Sequence, residues 1–183
     1  MHREALEIRR RVLGPEHPDT LTSMNNLALS YSGQGRYKEA EVMYQEALEI
    51  RKRVLGPEHL DTLWSMTDLA TSYIDQGRYK EAEVMDREVV ENSKRFLGPE
   101  HPDTLTYMGS LGNDLYYLDR PAREAKELFV ELLEIQSRVL GPEHPRSLQT
   151  MYNLARTMLR LGDLAEAEQL ARKNLEIRRP RRA

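Results

Sequence analysis

The sequence contains no cysteine, only two phenylalanines and one tryptophan. Without cysteine there can be no disulfide, thiolate metal site or cysteine nucleophile. No apolar run approaches the roughly 20 residues of a membrane span, and the start, "MHREALEIRRR", has no apolar core of a signal peptide. Charge of one sign is also lacking. Charged residues make up 31%, yet the net charge is −3, so nucleic acid is not an expected partner. Nor is there an HExxH, a glycine-rich phosphate loop or a GxSxG. What remains is a charged, soluble chain of 183 residues, with the cytoplasm as the expected location, no membrane contact and no cofactor.

What is present is repetition. "LGPEHPDTL" begins at Leu13 and returns as "LGPEHLDTL" at Leu55, "LGPEHPDTL" at Leu97 and "LGPEHPRSL" at Leu140, a period of 42, 42 and 43 residues. The rest of the unit recurs in phase, and the extra residue falls near Asp119–Ala122. The expected organisation is one domain over 1–183. It comprises a half repeat at 1–17, repeats at 18–59, 60–101 and 102–144, and a shortened repeat with a basic tail at 145–183.

Each unit reads as two helices. Leu21, Met24, Leu27, Ala28 and Tyr31 share one face at helical spacing. "GQGRY" breaks that helix, with Gly33 and Gly35 available for positive φ. A second helix carries Ala40, Met43, Tyr44, Ala47, Ile50 and Val54 inward, with Glu39, Glu41, Glu46, Arg51 and Lys52 on the wet side. "LGPEHPDT" then stops one helix and starts the next. Gly14 suits the residue past a helix end, Pro15 cannot continue the helix, and Asp19 can cap the following one. Leu60 in place of proline and Arg146 in place of aspartate mark weaker joints.

The histidine beside a glutamate in each joint raises the question of metal. His17, His59, His101 and His144 stand one repeat apart. Neighbouring helices pack about 8–10 Å apart, while ligands of one ion must lie within about 2.3 Å of it. The histidines therefore belong to structural joints, no metal is expected, and replacing His59 should matter little.

The pattern of a bulky residue, Leu–Ala or Leu–Gly, an aromatic, then Ala and another bulky residue resembles the tetratricopeptide repeat. Met24, Leu27, Ala28, Tyr31, Ala40, Tyr44 and Ala47 carry it in the first full unit. The unit exceeds the usual 34 residues by about eight. With "ALEIRKRVLGPEHPDTL" and "NNLA" it is similar to the kinesin-light-chain type, found also in fungal and bacterial NLR-like proteins. Asp86 and Asn174 occupy positions that are bulky in the family, so looser packing is expected there. The resemblance implies an all-α, right-handed superhelical solenoid of antiparallel helix hairpins.

It also implies where function lies. First helices line the concave side of such arrays, which places a peptide-binding groove at Asn25, Asn26, Leu29, Trp64, Thr67, Asp68, Thr71, Asn113, Tyr116, Tyr152, Asn153, Arg156 and Arg160. Asn26 and Asn153 match the asparagines that bond a peptide backbone in related arrays; Asp68 and Ser110 do not. Trp64 reads as an apolar anchor or as a partly buried filler. Arg156 and Arg160, four apart, read as a carboxylate receptor or as a solvated basic face. "RRPRRA", stopped at Pro180, reads as a contact for nucleic acid or anionic lipid or, as is usual for a short basic tail, as a frayed, soluble helix end. The expected function is non-enzymatic binding of a peptide segment of a partner protein. The alternative is a structural scaffold or self-association segment of an NLR-like signalling protein, with contacts through exposed repeat ends such as the side of Ala5, Leu6, Ile8 and Val12.

Overall fold

Apolar positions stepping by three and four fold into helices throughout. A computed structural model of the chain describes residues 2–118 and 122–178, and within them lie nine helices and no strand. First helices are α2 (Pro18–Ser32), α4 (Leu60–Asp75), α6 (Pro102–Tyr117) and α8 (Pro145–Leu161). They alternate with second helices α1 (His2–Leu13), α3 (Tyr37–Leu55), α5 (Tyr79–Phe96), α7 (Ala122–Val139) and α9 (Leu164–Arg178). The inserted residue near 119–121 and the end of the "RRPRRA" tail, with Pro180, lie outside the described residues.

The chain forms two compact units, Met1–Asn92 and Ser93–Ala183. In the first, α1 packs on α2, α2 on α3 and α3 on α4. In the second, α6 packs on α7, α7 on α8 and α8 on α9. Each core is built from the same positions. Leu21, Met24, Leu27 and Ala28 of α2 are buried in the first unit, and Leu148, Met151, Leu154 and Ala155 of α8 in the second. The buried stripe of α3 is Ala40, Tyr44, Ala47, Leu48 and Arg51. Arg51 therefore leaves the wet side expected of it, and Val54, in the last turn, is the residue left 49% exposed. Arg51 donates to the Ser65 hydroxyl of α4, as Arg9 of α1 does to Ser23 of α2 one repeat earlier. Asp86 and Asn174 are nonetheless buried, at 2% and 7% exposed. Asn174 Nδ2 donates to the Leu148 carbonyl at 2.6 Å, so a polar side chain ties α9 to α8 where a bulky apolar one was expected.

The joints work differently from the sequence expectation in one respect. The cap is the histidine, not the aspartate. His17 Nδ1 accepts from the Asp19 amide at 3.2 Å, and His59, His101 and His144 do the same for Asp61, Asp103 and Arg146. An unprotonated ring nitrogen is an acceptor like a serine or aspartate oxygen, and the extended backbone of the histidine aims it at the second helical residue. The joint at Arg146 therefore keeps its cap without the aspartate, while the helix begun by Leu60 has the cap but lacks the proline of the other joints. Just upstream, Gly56 has φ 91° and ψ 160°. This is not the left-handed helical region but an extended positive-φ region that essentially only glycine enters. In the shorter turn, Gly35 takes positive φ (75°) while Gly33 stays helical at −62°.

Second helices are also linked repeat to repeat by charge. Arg78 reaches both Glu41 oxygens at 2.8 Å and lies 4.2 Å over the Tyr73 ring. At the same position in the second unit Lys126 meets Asp163 at 2.7 Å, with both signs reversed.

Candidate functional site

The predicted site residues fall on the first helices in two groups, one in each unit. In the first unit α2 supplies Asn25, Asn26 and Leu29, and α4 supplies Trp64, Thr67, Asp68 and Thr71. Large apolar side chains stand in water here: Trp64 is 56% exposed and Leu29 64%. Trp64 thus has more than half of its surface open and the rest covered. Thr67 and Thr71 donate their hydroxyls back to the Leu63 and Thr67 carbonyls of their own helix, so each presents only an acceptor outward. Asn26 is exposed.

Asp68 binds the two helices together. Asn25 Nδ2 donates to its Oδ2 at 2.7 Å. That bond fixes the amide orientation, since a carboxylate only accepts. Burial pushes the Asp68 carboxyl above its ordinary range, against the opposing pull of the Asn25 bond and the Arg51 charge. Behind it, burial lowers the Arg51 guanidinium, while Asp61 and Asp68 act to raise it. The Tyr44 phenol is pushed up to about 12 by burial and by Asp68 and Asp75. Sequence reasoning missed Arg51. Its signal was available: Arg51 continues the steps of Ala40, Tyr44 and Ala47, so a charge was written on the apolar stripe.

In the second unit α6 supplies Asn113 and Tyr116, and α8 supplies Tyr152, Asn153, Arg156 and Arg160. Asn153 is only 8% exposed. Its Oδ1 accepts from Gln149 and its Nδ2 donates to Asn113 Oδ1, both at 3.2 Å, so it braces α8 against α6 rather than standing open to a ligand. Arg156 lies 3.9 Å over the Tyr116 ring and 5.8 Å from that of Tyr117, within the range of cation–π attraction. Arg160 approaches the same Tyr116 ring at 5.4 Å and donates to the Tyr116 carbonyl. Tyr116 and Tyr117 meet edge to face at 5.3 Å, a favoured aromatic geometry. Tyr152, one turn before Arg156, is 53% exposed. The two faces differ in sign at matching positions. Along α4 the stripe reads Asp61, Trp64, Asp68, Thr71 and Asp75; along α8 it reads Arg146, Gln149, Asn153, Arg156 and Arg160.

Nothing in either face forms a metal centre. Among the described residues no three histidines, aspartates or glutamates come together to hold an ion. Among the same residues no helix is long and apolar enough to cross a membrane.

Comparison with known proteins agrees with this architecture. A family model described as "Tetratricopeptide repeat" matches residues 1–19, 20–61 and 62–103, and a second with the same description matches 122–179. No curated protein matches the chain. Two crystal structures of nearly identical TPR-like repeats, assigned to a putative kinesin light chain of Podosopora anserina, are 30% identical to this chain. Each match covers 96% of this chain and 82% or 83% of the other, with TM-scores of 0.86 and 0.85. The structure of BtubC (BKLC) from P. vanneervenii, 24% identical over 100% of this chain and 75% of that one, has a TM-score of 0.82 and shares the fold. The chain belongs to the tetratricopeptide-repeat family, a non-catalytic interaction fold, and its array is similar to those of the kinesin-light-chain type.

Proposed function

We propose that the chain is a protein-interaction module that binds a peptide segment of a partner on the open faces of its first helices. The observation that carries this reading is the exposure of Trp64. A 56% exposed indole stands on a face where Asn25, Asn26, Thr67, Asp68 and Thr71 are polar. A large aromatic on a preorganised surface is the kind of residue that dominates binding energy. On the other unit's face, Tyr152 offers a second apolar contact. Arg156, stacked on Tyr116, keeps donors for an acidic group. Asn26 is the asparagine available to a peptide backbone, because Asn153 is spent internally.

Peptides selected on the full chain from a random display library test the reading. Trp64→Ala should weaken a selected binder about thirtyfold or more, as expected for truncating an anchor worth ~2 kcal/mol, with helical content unchanged. Val42→Ala, on the 62% exposed outer side of α3, should change nothing. Glu41 would be a poor control there, because it anchors Arg78. Binders indifferent to Trp64 and lost on outer-face changes would overturn the groove.

A second reading, self-association as a structural scaffold, has its own support in α1. Ala5 is exposed, and Ile8 and Val12 are 48% and 67% exposed, whereas Ala47, the counterpart of Ala5 in α3, is fully buried. Ile8→Glu should abolish association through that side, as read by light scattering against concentration.

A further inference from the structure

Helices α1 and α9 carry matching sequences but bury opposite halves of them. Residues 3–9 read "REALEIR" and residues 172–178 read "RKNLEIR". Leu6 and Leu175 are counterparts, as are Ala5 and Asn174. In α1 Leu6 is buried (5% exposed) among Leu21, Met24, Leu27 and Ala47, while Ala5 is open. In α9 the reverse holds: Asn174 is buried at 7% and Leu175 is 60% exposed. A second helix inside the array covers both positions at once, as α3 does with Ala47 at 0% and Leu48 at 4%.

We propose that α9 of one copy docks on the α2–α3 surface of a second copy, in the place α1 holds, and so propagates the array head to tail. The occupant is argued from its matching side chains. Leu175 would enter the Leu6 pocket. Arg178 would stand where Arg9 bonds Ser23 Oγ and the Asp19 carbonyl. Glu168 would fall where the repeat places Glu41, the residue that grips Arg78, and the arginine it meets is Arg36. Arg36 already lies 4.1 Å over Tyr31 and pairs with Glu39, as Arg78 lies over Tyr73 and pairs with Glu81. An open cleft beside the first turn of α1 is lined by Leu6, Leu27, Tyr31, Arg36 and Met43. Leu27, Tyr31, Arg36, Glu39 and Met43, the walls of that cleft outside α1, would meet the earlier turns of α9. A contact that joins different patches on the two copies gives a ring where its rotation closes and an open chain where it does not, and not a two-fold dimer.

This docking is independent of peptide binding. It also differs from association through the outer side of α1. The intact chain keeps α1 in place as an intramolecular competitor, so growth should require high protein concentration. Sedimentation equilibrium on the full chain is the test. Mass should rise with concentration without levelling at a dimer. Leu175→Glu should reduce the association constant tenfold or more. Leu6→Glu, which loosens α1 and clears its pocket, should raise it, and the double variant should return to monomer; circular dichroism checks that each stays helical. Ile8→Glu should leave association unaffected. The proposal is overturned if wild type and Leu6→Glu both stay monomeric, or if Leu175→Glu associates as wild type does.

Discussion

The ring of Phe129 in α7 occupies the space a side chain at Gly112 in α6 would need: a Cβ there would stand 2.6 Å from Cε1 and 2.7 Å from Cζ. Gly112 holds the position of Ala28, Ala70 and Ala155, so only α6 leaves out the methyl group there, and the Phe129 ring takes the room. Gly112→Ala gains about 1 kcal/mol of helix propensity but overpacks the core. Overpacking costs ~1–3 kcal/mol, so a net loss of up to about 2 kcal/mol is expected in urea unfolding. Phe129→Leu in the same chain should recover much of it. Gly109, on the same helix, would place its Cβ at an ordinary 3.7 Å from its nearest neighbour. Gly109→Ala should therefore stabilise by up to about 1 kcal/mol.

The histidine caps predict a cost where the sequence suggested none. His59→Ala removes the acceptor of the Asp61 amide and should destabilise by about 1 kcal/mol. His59→Asn should retain most of the stability, because an asparagine oxygen caps the same amide. Equal losses for both variants would mean the ring contributes by packing and not by its nitrogen. At the same joint, Gly56→Ala forces a Cβ onto a backbone at φ 91° and ψ 160°. Open space surrounds the site, yet the strained backbone alone should cost ~1–3 kcal/mol.

Much of the fold is legible because each rule is written several times. The stop at Gly14 and Pro15 and the restart by His17 recur in phase, so one error in reading a joint is repeated but never compounded. Which atom caps was not legible. Asp19 and His17 both carry acceptors, and only the extended backbone of the histidine decides between them. The paired reversal of Glu41–Arg78 into Lys126–Asp163 was present in the sequence, but it becomes meaningful only when the repeat is known to bring those positions together. The open faces were the least legible part. Asn26 and Asn153 occupy the same position in their repeats, yet one is exposed and the other is braced by Gln149 and Asn113. Burial at that position depends on residues of the neighbouring helix, which a one-repeat template does not contain.

Asn174 shows how one buried polar group can stand in for apolar packing. Its amide satisfies the Leu148 carbonyl at 2.6 Å. Asn174→Ala removes the interhelix hydrogen bond and opens a small void, while the Leu148 carbonyl keeps its helical partner, so a loss of about 1 kcal/mol is expected. Asn174→Asp should lose at least as much at neutral pH, since a carboxylate placed against a carbonyl cannot donate. Thermal unfolding of both variants separates this account from simple volume loss, for which aspartate would be nearly neutral.

Asp68 makes folding depend on pH. Its carboxyl is raised, chiefly by burial, so the folded chain holds the proton more tightly than the unfolded chain does. Folding stability therefore falls as pH rises from the ordinary carboxyl range through the folded titration of Asp68, and above it the cost of burying the ionised group is fully present. Asp68→Asn removes that charge and keeps an oxygen for Asn25 Nδ2 to bond, while Asp61 still acts on Arg51. The variant should be more stable than wild type at neutral pH, and the gap should close as pH is lowered through the Asp68 titration. Comparing the two chains at each pH cancels the carboxylates they share. A constant gap at all pH values would locate the effect in packing. A variant less stable than wild type at neutral pH would mean that the attraction between Asp68 and Arg51 outweighs the cost of burial.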